Sequence, residues 1–189
     1  MNQITSHLII NLELAEGAIL NELMDGFRED YLVLHCLLRK YNPATILEIG
    51  THIGTGTNII CNALPDAKVY SLDLPESEAD KSQQHPLHKT AEIGEYCTFP
   101  YTQLLADSLK FDYSAYQFDA FFIDGEHDRR HVYHETRQAI LNGASLIIWH
   151  DADISGVYNG ITDAFDMPRG ENYNLYRVTD TRIAYATKK

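Results

Sequence analysis

The sequence has little that would suit an oxidising compartment, a membrane or a nucleic acid. Cysteine is scarce: Cys36, Cys61 and Cys97 are the only three in 189 residues, an odd number without C-x-x-C spacing. That usage fits a reducing cytoplasm best, and Cys36 and Cys61, set in apolar helical patterns, read as buried thiols. Basic charge is also scarce, with 15 Lys and Arg against 27 Asp and Glu and a net charge of −12. Binding a phosphate backbone needs clustered Lys and Arg, so no nucleic-acid partner is expected. The densest basic run, Arg129-Arg130, lies between Asp128 and His131 and is too short for such a footprint. No apolar run approaches a membrane span, so no membrane partner is expected. The N-terminal stretch lacks a basic region and holds Glu13 and Glu16 among its apolar residues, which does not read as a signal peptide. Repeats and low-complexity segments are absent, and the acidity reads as solubility.

What is present suits one globular domain. The hydrophobic fraction is 44%, and the length allows a single core rather than two. The expected organisation is one domain over 1–189, with a helical cover at 1–41 and an α/β core at 42–189. In the cover, Tyr31, Leu34, Leu38 and Tyr41 repeat at helical spacing, after a weaker helix through Leu12, Ala15, Ile19 and Met24 that breaks near Gly26.

The stretch Ala44 to Asn58 organises the core. Thr45 to Ile49 is a β-branched, apolar run that reads as a buried strand. Gly50, Gly54 and Gly56 follow, and Thr57 to Leu64 can be a helix. A strand, a glycine-rich turn and a helix N-terminus make a nucleotide-binding corner, because glycine allows close backbone approach and the helix end offers unpaired N–H groups. The same pattern also occurs as an ordinary strand-to-helix turn. A dinucleotide site needs G-x-G-x-x-G, but His52 holds the place of its second glycine and Glu48 brings a negative charge that would repel a pyrophosphate. An acid at Glu48 suits a cationic, phosphate-free ligand better.

Further strands are expected at Lys68–Leu74, Phe99–Ala106, Tyr116–Ile123 and Ala144–Trp149. Helices are expected at Asp128–Leu141 and Ser155–Phe165, and a hairpin from Tyr173–Val178 and Ile183–Thr187. Asp73 ends the second strand, 23 residues after Gly50. An acid there accepts hydrogen bonds from ribose hydroxyls, or serves only as a turn acid. Pro75 to Cys97 is polar and reads as a flap, in which His85 and His88 are solvated loop histidines. His131 and His134 read as surface residues. Alternating strands and helices predict an open, mostly parallel α/β sheet whose ligands bind beyond the carboxyl ends of the strands. Glu48, Gly50, Asp73, Asp107, Asp124, His150 and Asp151 are all expected at that end.

Phe121-Phe122-Ile123-Asp124-Gly125-Glu126-His127 and Trp149-His150-Asp151, with the Glu48–Gly56 turn, resemble the class I S-adenosylmethionine-dependent methyltransferases. The likeness is to the group with F-I-D-G-x-H and W-H-D motifs that includes macrocin-type O-methyltransferases. It implies a Rossmann-like three-layer sandwich with a mostly parallel seven-stranded sheet and an antiparallel C-terminal strand. It implies a cofactor site formed by Glu48, Gly50, Thr51, Gly54, Asp73, Leu74, Asp107, Ser108 and Asp124, with Asp107-Ser108 near the adenine. It also implies a divalent metal, often magnesium, on Asp124, His150 and Asp151, with His127 as general base and Asp124 beside it in catalysis. Because hard cations prefer oxygen ligands, His150 would favour a softer metal or leave Asp124 and Asp151 as the direct ligands. The implied activity is O-methylation of a small-molecule hydroxyl, on a sugar, a polyketide or similar, by a cytoplasmic protein that could form a homodimer. Two alternatives stay open: a non-catalytic module that keeps the fold and binds the cofactor or a partner, and an NAD-type dehydrogenase, against which His52 and Glu48 both count.

Overall fold

Four consecutive buried residues, Ala120–Ile123, form a strand that is apolar on both faces, as the centre of a parallel sheet requires. A computed structural model describes residues 1–6, 9–10, 12–20, 26–78 and 91–189. Its elements in chain order are β1 (Asn2–Ile4), α1 (Leu12–Ala15), α2 (Arg28–Tyr41), β2 (Thr45–Ile49), α3 (Thr55–Ala63), β3 (Lys68–Asp73), β4 (Thr102–Leu105), β5 (Ala120–Ile123), α4 (Arg129–Asn142), β6 (Leu146–Trp149), α5 (Ser155–Phe165), β7 (Tyr173–Val178) and β8 (Ala184–Lys188). Short 3₁₀ turns lie at Tyr113–Ala115 and Gly170–Asn172. His85, His88 and Met24 lie outside the described residues, as does the middle of the expected flap.

The eight strands form one sheet in the order β1-β7-β8-β6-β5-β2-β3-β4. The pairs β2–β3, β3–β4, β2–β5 and β5–β6 are parallel, and β8 runs antiparallel to both β6 and β7. Side chains alternate between two cores. Ile46, Phe122 and Ile148 pack under α2 and α3, whereas Leu47, Phe121, Ile147 and Trp149 pack under α4 and α5. This is the expected three-layer sandwich with an antiparallel C-terminal strand.

The sheet has one strand beyond the expected seven, because Asn2–Ile4 is a strand rather than part of a helical cover. It pairs parallel with β7. Thr179 N–H donates to Ile4 O at 3.0 Å, and the Ser6 hydroxyl donates to Asp180 Oδ2 at 2.6 Å.

 A run of three residues is too short to show alternation, so long-range pairing and not local pattern makes it a strand. Two strands are markedly shorter at their N-terminal ends than expected, β4 beginning at Thr102 and β5 at Ala120, whereas β2, β3 and β7 begin where expected. Helix boundaries follow their caps. The Asp128 carboxylate accepts the N–H groups of Arg130 and His131 at the start of α4, and Gly143, with φ 81°, ends it.

The chain runs outward from β2 through β3 to β4, then returns to the other side of β2 as β5. The carboxyl ends of β2 and β5 therefore flank the point where strand order reverses, which is where an open α/β sheet leaves a crevice.

Candidate functional site

At that crevice the two strand ends touch. Gly50 has φ 101°, and a Cβ there would lie 2.2 Å from the backbone oxygen of Asp124. Only glycine fits both the left-handed backbone and the close approach. A Cβ on Gly54 (φ 91°) would lie 2.9 Å from Gly94, and one on Gly56 2.5 Å from Oε1 of Glu48. His52, standing where a glycine was expected, takes the left-handed conformation all the same, with φ 49°. Its N–H donates to Asp73 Oδ2 at 2.6 Å and its carbonyl accepts from Gly94 N–H at 2.8 Å, so both neighbours hold the strained residue.

The crevice opens into a cleft of about 840 Å³, within the usual range for a small-molecule site. Gly50, Thr51, Asp73, Leu74, Asp107, Ser108, Asp124 and His127 all line it. Glu76, Glu78 and Glu126 add to its acidic wall. Such a wall attracts a cation and repels a pyrophosphate. Lys110, 2.9 Å from Asp107, holds that carboxylate below its usual range.

Glu48 is placed differently from the expectation. It lies within β2 beneath α3, is 1% exposed, and does not line the cleft. Its Oε2 accepts the hydroxyls of Thr57 and Ser71. Ser71 in turn meets Thr51 at 2.6 Å, and Gln103 Nε2 donates to Thr51 Oγ1 at 2.8 Å. Burial pushes the Glu48 carboxyl up to about 8, against the pull of the two hydroxyls. It is an internal brace of the glycine turn rather than a wall of the cleft. Gly54 likewise sits behind the wall, under Gly94 and Cys97.

The second cluster lies at the ends of β5 and β6. His127 Nε2 is 3.2 Å from Asp151 Oδ2 and 3.9 Å from Asp124 Oδ1. Asp124, His127 and Asp151 each offer one ligand atom, and these atoms lie within 4.8 Å of one another. His150, expected as a ligand, is buried instead among carboxylates. Its Nδ1 is 3.1 Å from Asp151 Oδ2 and 3.4 Å from Asp124 Oδ1, while its Nε2 is 3.1 Å from Asp30 Oδ2. Burial alone would lower its pKa, but Asp124, Asp151 and Asp30 outweigh that and push it up to about 12. With both nitrogens engaged by carboxylates, His150 braces Asp124 and Asp151, and the ligand-capable group is Asp124, His127 and Asp151 instead. In return, and against their own burial, His150 holds Asp124 below its usual range and Asp151 at about 2. The carboxylates of Asp124 and Asp151 beside it raise His127 in spite of partial burial.

Asp30 and Arg182 complete this cluster and were not among the expected site residues. Asp30 lies in α2, and its Oδ1 accepts the N–H of Arg182 at 3.0 Å. The Arg182 guanidinium donates to Asp151 Oδ1 at 3.0 Å and lies 4.7 Å above the Phe27 ring. Tyr31 stacks on His150, and both Phe27 and Tyr31 line the cleft. Helical spacing in α2 was the one signal in the sequence, and it says nothing about which carboxylate turns inward.

His131 and His134 are half-buried rather than on the surface. His131 Nδ1 meets Asp128 at 2.5 Å, and its side chain borders the cleft. Neither belongs to a ligand-capable group among the described residues. Trp149 is a core residue whose Nε1 donates to Thr136 at 2.9 Å. No helix among the described residues is long and apolar enough to cross a membrane.

Comparison with known proteins agrees with this geometry. A probable O-methyltransferase of Mycobacterium tuberculosis, Rv1703c, is 38% identical over 52 residues, which is 28% of this chain and 22% of that protein. The chain thus matches less than a quarter of that relative's length. Among solved structures, the SAH-bound methyltransferase PaMTH1 of Podospora anserina superposes with a TM-score of 0.60 at 12% identity, covering 86% of this chain and 79% of that one. The mycinamycin-pathway methyltransferase MycE, solved with Mg and SAH, gives a TM-score of 0.52 at 19% identity, covering 80% of this chain and 47% of that one. At such identities the likeness is one of fold. The profile of the family described as "Methyltransferase domain" matches residues 47–152, from within β2 to the turn after β6. That span is more than half of the chain and holds Gly50, Asp73, Asp124, His127, His150 and Asp151, and the chain belongs to this methyltransferase-domain family.

Proposed function

We propose that the protein transfers a methyl group from S-adenosylmethionine to a hydroxyl of a small molecule, on a sugar, a polyketide or a similar acceptor, in the manner of the macrocin-type enzymes. The observation that carries this reading is the meeting of His127, Asp124 and Asp151 at one end of an acidic, glycine-floored cleft.

The residues present fit the cofactor. The acidic wall favours a sulfonium cation, Asp73 stands at the tip of β3 to accept from ribose hydroxyls, and Asp107 and Ser108 border the cleft beyond β4. Bound there, the sulfonium supplies a methyl group already activated for in-line displacement. The work left to the chain is to align the acceptor and to take its proton. His127 is half-exposed at the cleft and raised in basicity by Asp124, which suits it to accept that proton. Phe27 and Tyr31 from α2 wall the same end, where an acceptor would enter.

A divalent metal fits the same cluster. Asp124, His127 and Asp151 would hold it, and it would stabilise the acceptor as an alkoxide. The Mg in the MycE structure supports this use. One nitrogen of His127 cannot bind a metal and take a proton at once, so the two uses differ in how chelation acts.

The test is methyl transfer from labelled S-adenosylmethionine to a panel of sugar, polyketide and phenol acceptors, with Mg²⁺ and with a chelator. Acceptor-dependent transfer that falls by about a hundredfold or more in His127→Asn is expected. Loss of transfer on chelation assigns the cluster to a metal, and retention assigns His127 as the base. Cofactor binding with no transfer to any acceptor would favour the non-catalytic module.

A further inference from the structure

Away from the strand-end clusters, two of the three cysteines come together behind the glycine turn. Cys61 lies in α3, the helix that starts from that turn, and is buried. Residues 94–98 lie across the turn as a clasp. Gly94 N–H donates to His52 O and Tyr96 N–H to Ile53 O, both at 2.8 Å. Thr98 donates its N–H and its hydroxyl to Asn58 Oδ1 at 3.0 and 3.1 Å. Cys97 belongs to this clasp and is half-buried.

The two sulfurs face successive carbonyls of the same segment. Cys97 Sγ lies 3.5 Å from Phe99 O, and Cys61 Sγ lies 3.9 Å from Pro100 O, the next carbonyl along the chain. The thiols also interact with each other. That interaction draws the Cys97 thiol down to about 7 and drives the Cys61 thiol up. Cys97 is the more accessible sulfur, and Cys61 is a buried thiol beside it. Cys36, buried in α2, belongs to neither the clasp nor this pair.

We propose that Cys97 and Cys61 form a peroxide-oxidisable dithiol, with Cys97 as the attacking sulfur and Cys61 as the resolving one. In the first step the Cys97 thiolate attacks one oxygen of hydrogen peroxide. The O–O bond breaks, a sulfenic acid forms, and the hydroxide released takes a proton to become water. In the second step the sulfur of Cys61 attacks the sulfenic sulfur. The S–S bond forms, the S–O bond breaks, and a second water leaves with the thiol proton. Two thiols and one peroxide give one disulfide and two waters. The disulfide fastens the clasp covalently to α3, beneath the turn that borders the cleft. This site does not depend on the proposed methyl transfer.

The experiment treats the reduced full-length protein with stoichiometric hydrogen peroxide at pH 7, followed by intact mass and non-reducing peptide mapping. The expected product has lost two hydrogens, yields a Cys61–Cys97 peptide, and reverts with dithiothreitol. In Cys61→Ser the reaction stops at a sulfenic acid on Cys97 that dimedone traps. A wild-type protein that instead resists peroxide, keeps a sulfenic acid on Cys97, oxidises first at Cys36, or links between chains overturns the proposal. The wild-type mapping decides the matter even where the variant does not fold.

Discussion

Asp30 Oδ2 lies 3.1 Å from Nε2 of His150, and both side chains are buried. The pair joins α2, which lies outside the matched family span, to the end of β6 inside it. Asp30 also accepts the N–H of Arg182 from the hairpin turn. Breaking a buried ion pair by removing one partner typically costs about 3–5 kcal/mol, because the other charge stays buried. Asp30→Ala is expected to destabilise the fold by about 3 kcal/mol in urea denaturation. Its affinity for S-adenosylhomocysteine should stay close to wild type, since Asp30 does not line the cleft. A loss below about 1 kcal/mol would show that Asp124 and Asp151 suffice for His150.

His127 gives a direct reading of the strand-end cluster. Its basicity is raised chiefly by the neighbouring Asp124 carboxylate, with Asp151 adding to it. An NMR titration of the metal-free protein is expected to place its midpoint above the ordinary histidine value of about 6.5. Asp124→Asn should bring the midpoint down. An unchanged midpoint would mean that Asp151 alone sets it.

The buried brace Glu48 predicts an unusual pH dependence. Its folded pKa, about 8, lies above the ordinary value of 4.5. The folded protein therefore binds a proton that the unfolded chain releases. The contribution is fully present below pH 4.5 and is lost as pH rises through about 8. Glu48→Gln removes that ionisation. The variant should gain stability relative to wild type between pH 5 and 9, by an amount on the order of a few kcal/mol. Parallel stability curves across that range would show that Glu48 ionises freely in the fold.

The contact between Gly50 and Asp124 predicts intolerance of any side chain. Gly50→Ala places a Cβ 2.2 Å from a backbone oxygen, on a residue with φ 101°. The expected cost is more than about 2 kcal/mol in denaturation, with weakened S-adenosylhomocysteine binding. A stable variant that binds normally would mean that the two strand ends can separate freely.

The legible parts of this chain are those that local pattern determines. The run at Ile46–Ile49, the glycines after it and the apolar residues at Ala120–Ile123 mark the central strands, and the acid at Asp73 marks the cleft end of β3. Ser155–Phe165 forms a helix over the very residues its pattern suggested. The less legible parts depend on partners distant in sequence. Asp30 is 120 residues from His150 and looks like any acid in the first turn of a helix. Strand β1 exists because Thr179 and Asp180 receive it. Glu48 is legible as an important acid but not as a buried one, because alternation along β2 turns it under α3 while the motif suggests a ligand contact. His150 likewise lies in a motif that suggests a metal ligand, and its buried contact with Asp30 could not be read from that motif.

The central claim is that the acidic cleft holds S-adenosylmethionine. Calorimetric titration of the purified protein with S-adenosylhomocysteine, beside a titration with NAD, tests it most directly. Saturable binding of S-adenosylhomocysteine that is lost in Asp73→Ala, with no heat from NAD, is the predicted result. Binding of NAD, or no binding of S-adenosylhomocysteine by a folded protein, would contradict it.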